Sequence, residues 1–217
     1  MPLSEDGKKA LVQGVSSAAA YVRKTVGLAV ELDGNDRIKW GTFGTTGIFT
    51  DYAKSNRSPV DGRTLEMVCW LWPIYLAWRA GVAKDVLLEE FDRACISTMG
   101  AGSLLTKSGG GSYDAFGTRD ESAMAAAAFY RASLSTQGLG SPGDTVFYFR
   151  QGYDQPCHVA IQVSNSQVSS LWNVPRDAGG KYYWHPQVLD NSVLLNCISV
   201  ENNGAQSSCR SARPPWA

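Results

Sequence analysis

Two histidines and five cysteines bound the nucleophilic and acid–base chemistry open to this chain: His158 and His185, with Cys69, Cys95, Cys157, Cys197 and Cys209. A cysteine attacks as its thiolate. A helix N-terminus and a neighbouring imidazole both lower its pKa, and the imidazole then carries the proton. Zinc sites combine closely spaced Cys and His ligands, and the chain has no CxxC pair, so a zinc centre is not expected. No cofactor is implied. Cys197 and Cys209 flank the polar stretch ENNGAQSS, and a disulfide between them in an oxidising compartment is one expectation.

His158 opens the apolar segment HVAIQV. Strand alternation puts His158, Ala160 and Gln162 on one face and Val159, Ile161 and Val163 on the other. Taken alone, that strand reads equally well as carrying a satisfied surface histidine. Cys157, one residue earlier, falls on the opposite face and reads as buried and inert. His185 precedes Pro186, which makes its backbone extended, and it reads as structural or surface. Cys69 lies in LEMVCWLWPIYLAWRAG, where the commoner fate of a cysteine is that of a small core hydrophobe. Pro73 cannot donate to the carbonyl of Cys69, so the helix either begins near Cys69 or kinks there. Asp51, Asp61, Asp114 and Asp120 read as caps or solvated charges. The SGGGS stretch lacks the Lys-Ser/Thr of a phosphate loop.

The elements that must hold these residues follow from periodicity. Residues 4–26 space apolar side chains at helical steps from Leu11 to Val26, and DGND between AVEL and RIKW suggests a hairpin. Residues 53–63 read as a loop. A helix over roughly 64–81 closes at Gly81, with Trp70, Trp72 and Trp78 mostly in the core, and a second helix covers about 83–98. Residues 100–118 are Gly- and Ser-rich and read as a loop, followed by an alanine-rich helix from Asp120 to Leu134. The remainder is strand-like: TVFYF, HVAIQV, QVSSLW, KYYW and LLNCISV, with SARPPWA as an extended tail. Helices first and strands later predict an α+β fold with a mainly antiparallel sheet.

The chain has 217 residues, a prior for one domain. Its 20 basic and 20 acidic residues cancel, which argues against nucleic-acid binding through a broad basic face. A hydrophobic fraction of 44% with 18% charged residues excludes a mainly disordered chain. The longest apolar run, Met67 to Trp78, is far short of the roughly 20 residues that span a bilayer, so no membrane span is expected. Acidic Glu5 and Asp6 come early, without the basic and then apolar regions of a secretory signal. The expectation is a protein made in the cytoplasm without a cleavable signal and open to export by a dedicated secretion system.

Two segments together carry a resemblance. Cys69 is followed by WLWPIYLAWR and Ala80-Gly81; further on come Gly143-Asp144, the aromatic strand TVFYF, a short loop and His158-Val159-Ala160-Ile161. This order resembles the NlpC-type cell-wall peptidases, a papain-like group of cysteine hydrolases. They carry their nucleophile at the start of a helix closing in Ala-Gly, and a histidine opening a strand of the type HVGI. The match covers residues 66–81 and 141–173 and departs from the pattern around the cysteine, where Val68 and Trp70-Leu71 replace the usual Asp and Ser-Gly.

The resemblance implies a single papain-like domain over 1–217, with N-terminal helices packed on an antiparallel sheet, an N-terminal extension (about 1–55) and an insertion (about 100–140). It implies Cys69 as nucleophile and His158 as proton carrier, with Ser170 or Asn173 orienting the imidazole. The substrate implied is a peptidoglycan peptide, and lack of a signal suggests an effector injected into rival bacteria, whose producers keep an immunity protein. Two alternatives stand beside it: a glutamine deamidase or transglutaminase-like toxin acting on a host protein, and a binding domain in which Cys69 is merely core.

Overall fold

The computed structural model describes residues 18–40, 65–67, 69, 71–83, 136–153, 156–172, 184–201, 203–214 and 217. Asn173, Cys95, the Gly-rich stretch, the alanine-rich segment and residues 84–98 of the helix expected over 83–98 lie outside them, as do residues 4–17 of the first helix, Trp70, and Asp51, Asp61, Asp114 and Asp120.

Helix α1 (Ala18–Glu31) buries Ala20, Tyr21, Thr25 and Ala29, a stripe in which Tyr21, Thr25 and Ala29 follow at four-residue steps. The stripe continues to Leu32, which is also buried, so AVEL is the last turn of this helix and not a strand. The hairpin expected across DGND therefore does not form. The chain turns at Gly34 (φ 70°), and β1 (Ile38–Trp40) instead pairs in parallel with β2 (Leu65–Met67).

Helix α2 (Leu71–Arg79) starts later than the pattern over 64–81 suggests, because 65–67 are taken by β2. Pro73 falls in its first turn, where a missing N–H leaves no helical bond unmade. Its C-terminus is built as expected around Gly81. Gly81 N donates to Trp78 O (2.9 Å) and Val82 N to Ala77 O (3.0 Å), the paired bonds of a Schellman cap. Gly81 takes the φ of 107° that this cap requires and that a side chain would strain. Val82 and Ala77 then pack with Ala20 and Tyr21 of α1.

The sheet has six antiparallel strands in the order β3-β8-β4-β5-β6-β7: β3 (Thr136–Gln137), β4 (Thr145–Arg150), β5 (Pro156–Gln162), β6 (Gln167–Ser170), β7 (Gln187–Asp190) and β8 (Ser207–Ala212). The expected α+β class with an antiparallel sheet is what the described residues form. LLNCISV, however, is not a strand. It belongs to α3 (Asn191–Glu201), capped by Asp190, whose Oδ1 accepts from Ser192 N (2.9 Å) and Ser192 Oγ (2.6 Å). These bonds from the Ser192 hydroxyl and amide hold the Asp190 carboxyl below its ordinary pKa. Leu194 and Ile198, one helical turn apart, are both fully buried against the sheet, each worth roughly 1.5–3 kcal/mol. Trp184 of the expected strand KYYW lies outside any strand, just before β7. Cys197 and Cys209 are both thiols, so the disulfide does not form here.

Helices cover both faces of the sheet. Leu194 and Ile198 of α3 pack with Val146, Tyr148, Ala160, Val168, Trp172 and Cys209, which alternation places on one face. On the other, Trp72 of α2 donates from Nε1 to Ser169 Oγ (3.1 Å), and Ser169 is the register partner of Ile161. Because Ser169 and Ser170 are adjacent in β6, they project to opposite faces.

Candidate active site

The Gly143-Asp144 pair fixes the start of β4. Gly143 adopts a φ of 88°, its N–H donates to Gln162 O (2.8 Å), and a Cβ there would stand 2.9 Å from Val22 of α1. Asp144 turns its carboxylate back on the loop: Oδ2 accepts from Ser141 N (2.9 Å), while Oδ1 pairs with Arg213 Nε (2.8 Å). The motif is thus a structural clasp that sets the register of β4 against β5, in which Tyr148 stands opposite His158.

His158 is fully buried, so it is not the surface histidine that the strand alone permits. Its Nε2 lies 2.8 Å from Ser170 Oγ on the next strand. The ring stacks on Trp172, with centroids 4.5 Å apart and planes at 17°, and tilts against Tyr148 at 5.7 Å. The Tyr148 hydroxyl donates to Asn191 Oδ1 (2.7 Å) at the start of α3, and burial pushes its pKa up. His158 Nδ1 is buried and has no hydrogen-bond partner among the described residues. Loss of water around the ring lowers the imidazole pKa to about 3, so the resting side chain is neutral.

Cys69 is also buried, in the turn immediately before α2, and its carbonyl accepts from Trp72 N (3.3 Å). This places the Cys69 backbone at the N-terminal end of α2. Trp40 of β1 packs on the cluster that contains Trp172, and Met67 is the register partner of Trp40. Trp72 reaches Ser169 on the far face. The chain therefore enters this region beside the face that carries His158 and leaves on the other, with Cys69 in the connection.

Of the residues singled out by sequence, the structure brings His158 and Ser170 into hydrogen-bond contact. It makes no hydrogen bond between the Cys69 thiol and His158, since Nε2 is on Ser170 and Nδ1 is without a partner. Asn173 lies outside the described residues. Cys157 departs from its expected place: it sits where the β4–β5 register shifts, is half-buried, and packs on the cluster of the face that carries His158. A bulge re-aims a side chain in this way. Tyr148 and Trp172 carried no signal of their place in the sequence: alternation within QVSSLW puts Trp172 on the side of Ser170, but that Tyr148 stands opposite His158 depends on the β4–β5 register. Gln187, opposite Ser170 in β7, was missed because β7 itself was.

Among the described residues no cluster of three His, Cys, Asp or Glu is placed to hold a metal ion, and no helix is long and apolar enough to cross a membrane. Compared with protein-family models, curated proteins and solved structures, the chain matches none.

Proposed function

We propose that the chain is a papain-like cysteine hydrolase that cleaves amide bonds, with peptidoglycan peptides as substrate. The observation that carries this reading is the state of His158. One nitrogen is held by a hydroxyl on the following strand, and the other is buried and unpartnered, the arrangement of an imidazole oriented by a third residue. The thiol of Cys69 comes to Nδ1 and gives up its proton, and the sulfur attacks the amide carbonyl. The backbone N–H of Cys69 and a neighbouring donor at the start of α2 hold the oxyanion. The proton passes from Nδ1 to the leaving amine, which departs with the C–N bond broken. Water, deprotonated by the same nitrogen, then splits the thioester and returns the thiol. An effector that acts on rival cell walls, with an immunity protein in the producer, is the biological setting this chemistry suits.

A second reading, a binding domain with Cys69 and His158 both in the core, is favoured by one observation. The Trp72–Ser169 hydrogen bond lays α2 on the face opposite His158. The two readings part on one experiment. Purified full-length protein is incubated with peptidoglycan under reducing conditions, and released amines and muropeptides are followed beside iodoacetamide labelling of Cys69. The hydrolase reading expects new amino termini, lost in Cys69→Ser and His158→Ala, with Cys69 labelling below the usual thiol range near 8.5 only while His158 is present. Intact peptidoglycan with a reactive Cys69 sinks the substrate; ammonia release from a protein glutamine would then redirect it to deamidation. A Cys69 unreactive in the folded protein sinks the hydrolase.

A further inference from the structure

Neutral imidazole has one protonated nitrogen and one lone pair, and only a lone pair on Nδ1 can take a thiol proton. Which tautomer His158 adopts is therefore a question for its partner Ser170, whose hydroxyl both donates and accepts. If Nε2 carries the proton, Ser170 accepts it and must send its own proton elsewhere. If Nδ1 carries it, Ser170 donates to Nε2, and Nδ1–H becomes a buried donor with nothing to bond.

The side chain directly across from Ser170 is Gln187, its register partner in β7. Paired residues of this kind have their Cβ atoms roughly 4.5–5.5 Å apart on the same face. Gln187 is half-buried, yet its Oε1 is shut off from solvent and has no hydrogen-bond partner among the described residues. A buried, unbonded acceptor therefore lies across the register from the Ser170 hydroxyl, and the two make no hydrogen bond in this structure. Unmet buried donors are rarer in proteins than unmet acceptors. The Nδ1–H form leaves both that donor and Gln187 Oε1 unmet, whereas the Nε2–H form, with Ser170 donating to Gln187, leaves only the Nδ1 lone pair.

We infer that Gln187 is a positioning residue which fixes the tautomer of His158 through Ser170: its side chain turns Oε1 toward the Ser170 hydroxyl, Nε2–H donates to Ser170 Oγ, Ser170 donates to Gln187 Oε1, and the lone pair is left on Nδ1. Gln187 touches no reacting atom; it sets which nitrogen of His158 is basic. The role of that lone pair as the base for Cys69 rests on the hydrolase reading, whereas the relay itself does not.

With only two histidines in the chain, imidazole 15N spectra of the labelled full-length protein resolve the question, His158 being assigned by loss of the second signal set in His185→Gln. The expected wild-type spectrum has a protonated Nε2 and a lone-pair Nδ1 for His158. Gln187→Leu removes the acceptor, leaves donation to Nε2 as the buried option for Ser170, and moves the dominant form to Nδ1–H. Gln187→Glu keeps an acceptor oxygen and keeps the wild-type pattern. Gln187→Met, which preserves length and removes the amide, serves if the leucine variant does not fold. A wild-type Nδ1–H signal, as a Gln187 amide turned to donate would produce, overturns the relay; so does an Nε2–H form unchanged in the folded apolar variant. Iodoacetamide labelling of Cys69 in the same variants separates the two claims. A tautomer that moves while labelling does not leaves the relay standing and removes Cys69 as its client.

Discussion

The indole of Trp172 lies flat against the imidazole of His158, with ring centroids 4.5 Å apart and planes 17° from parallel. Stacking over one side, the tilted Tyr148 ring on another and the Ser170 hydroxyl at Nε2 account for the full burial of the histidine. Trp172→Ala opens this enclosure, and the expected loss is about 3–5 kcal/mol of unfolding free energy, as for other buried large aromatics. Trp172→Phe is expected to lose clearly less. Urea denaturation of both variants measures the difference, and equal losses would mean that a phenyl ring at this position recovers nothing and that the enclosure depends on the indole itself.

The pH dependence of stability follows from the same burial. In the unfolded chain His158 titrates near 6.5, and in the folded protein at about 3. Between these values the unfolded state binds a proton that the folded state refuses, so the contribution is intact above pH 6.5 and is lost as pH falls toward 3. The expected slope approaches roughly 1.4 kcal/mol per pH unit inside that window. Denaturation midpoints taken from pH 7 to pH 4 test this, and His158→Gln is expected to flatten the part of the curve that His158 supplies. A His158→Gln curve as steep as wild type would assign the slope to other groups.

Removing the Ser170 hydroxyl leaves Nε2 as an orphan in the core. Ser170→Ala is expected to cost about 1–3 kcal/mol, the penalty of an unmet buried polar group and more than the loss of a hydroxyl at the surface. A cost below half a kcal/mol by chemical denaturation would show that another partner takes the nitrogen.

The helical state of 191–201 is open to a paired substitution. A strand would send Leu194, Ile198 and Val200 to one side, whereas α3 buries the first two and leaves Val200 67% exposed. Leu194→Ala is expected to cost about 2–5 kcal/mol and Val200→Ala to fall within about half a kcal/mol of wild type. Comparable losses at both positions would contradict the helix.

How much of this was legible in the sequence varies with the kind of signal. TVFYF and HVAIQV announced β4 and β5 through apolar, β-branched and aromatic side chains, and Gly81 announced its cap. LLNCISV carries the same apolar density as those strands, and only the cap at Asp190 with the one-turn spacing of Leu194 and Ile198 marks it as helix. SSCRSA gave no warning that it would be a central strand. Its buried positions hold Cys209, Ser211 and Ala212, small side chains that fit beneath neighbouring elements without an apolar pattern. For the site, the family resemblance offered Ser170 beside Asn173 as the residue to orient His158, and Ser170 is found at its Nε2. The contribution of Gln187 depends on cross-strand register, which single-strand periodicity does not encode.

The place of β8 between β3 and β4 has a consequence for how the protein comes into being. Thr145 pairs with Ala212 and Arg150 with Ser207, so one side of β4 stays unbonded until the ribosome has delivered residues 207–212. Pairings so distant along the chain are slow to form, and an open strand edge invites contact with other chains in the meantime. The His158 enclosure rests on this sheet, and the nascent polypeptide therefore emerges with its candidate catalytic groups unassembled.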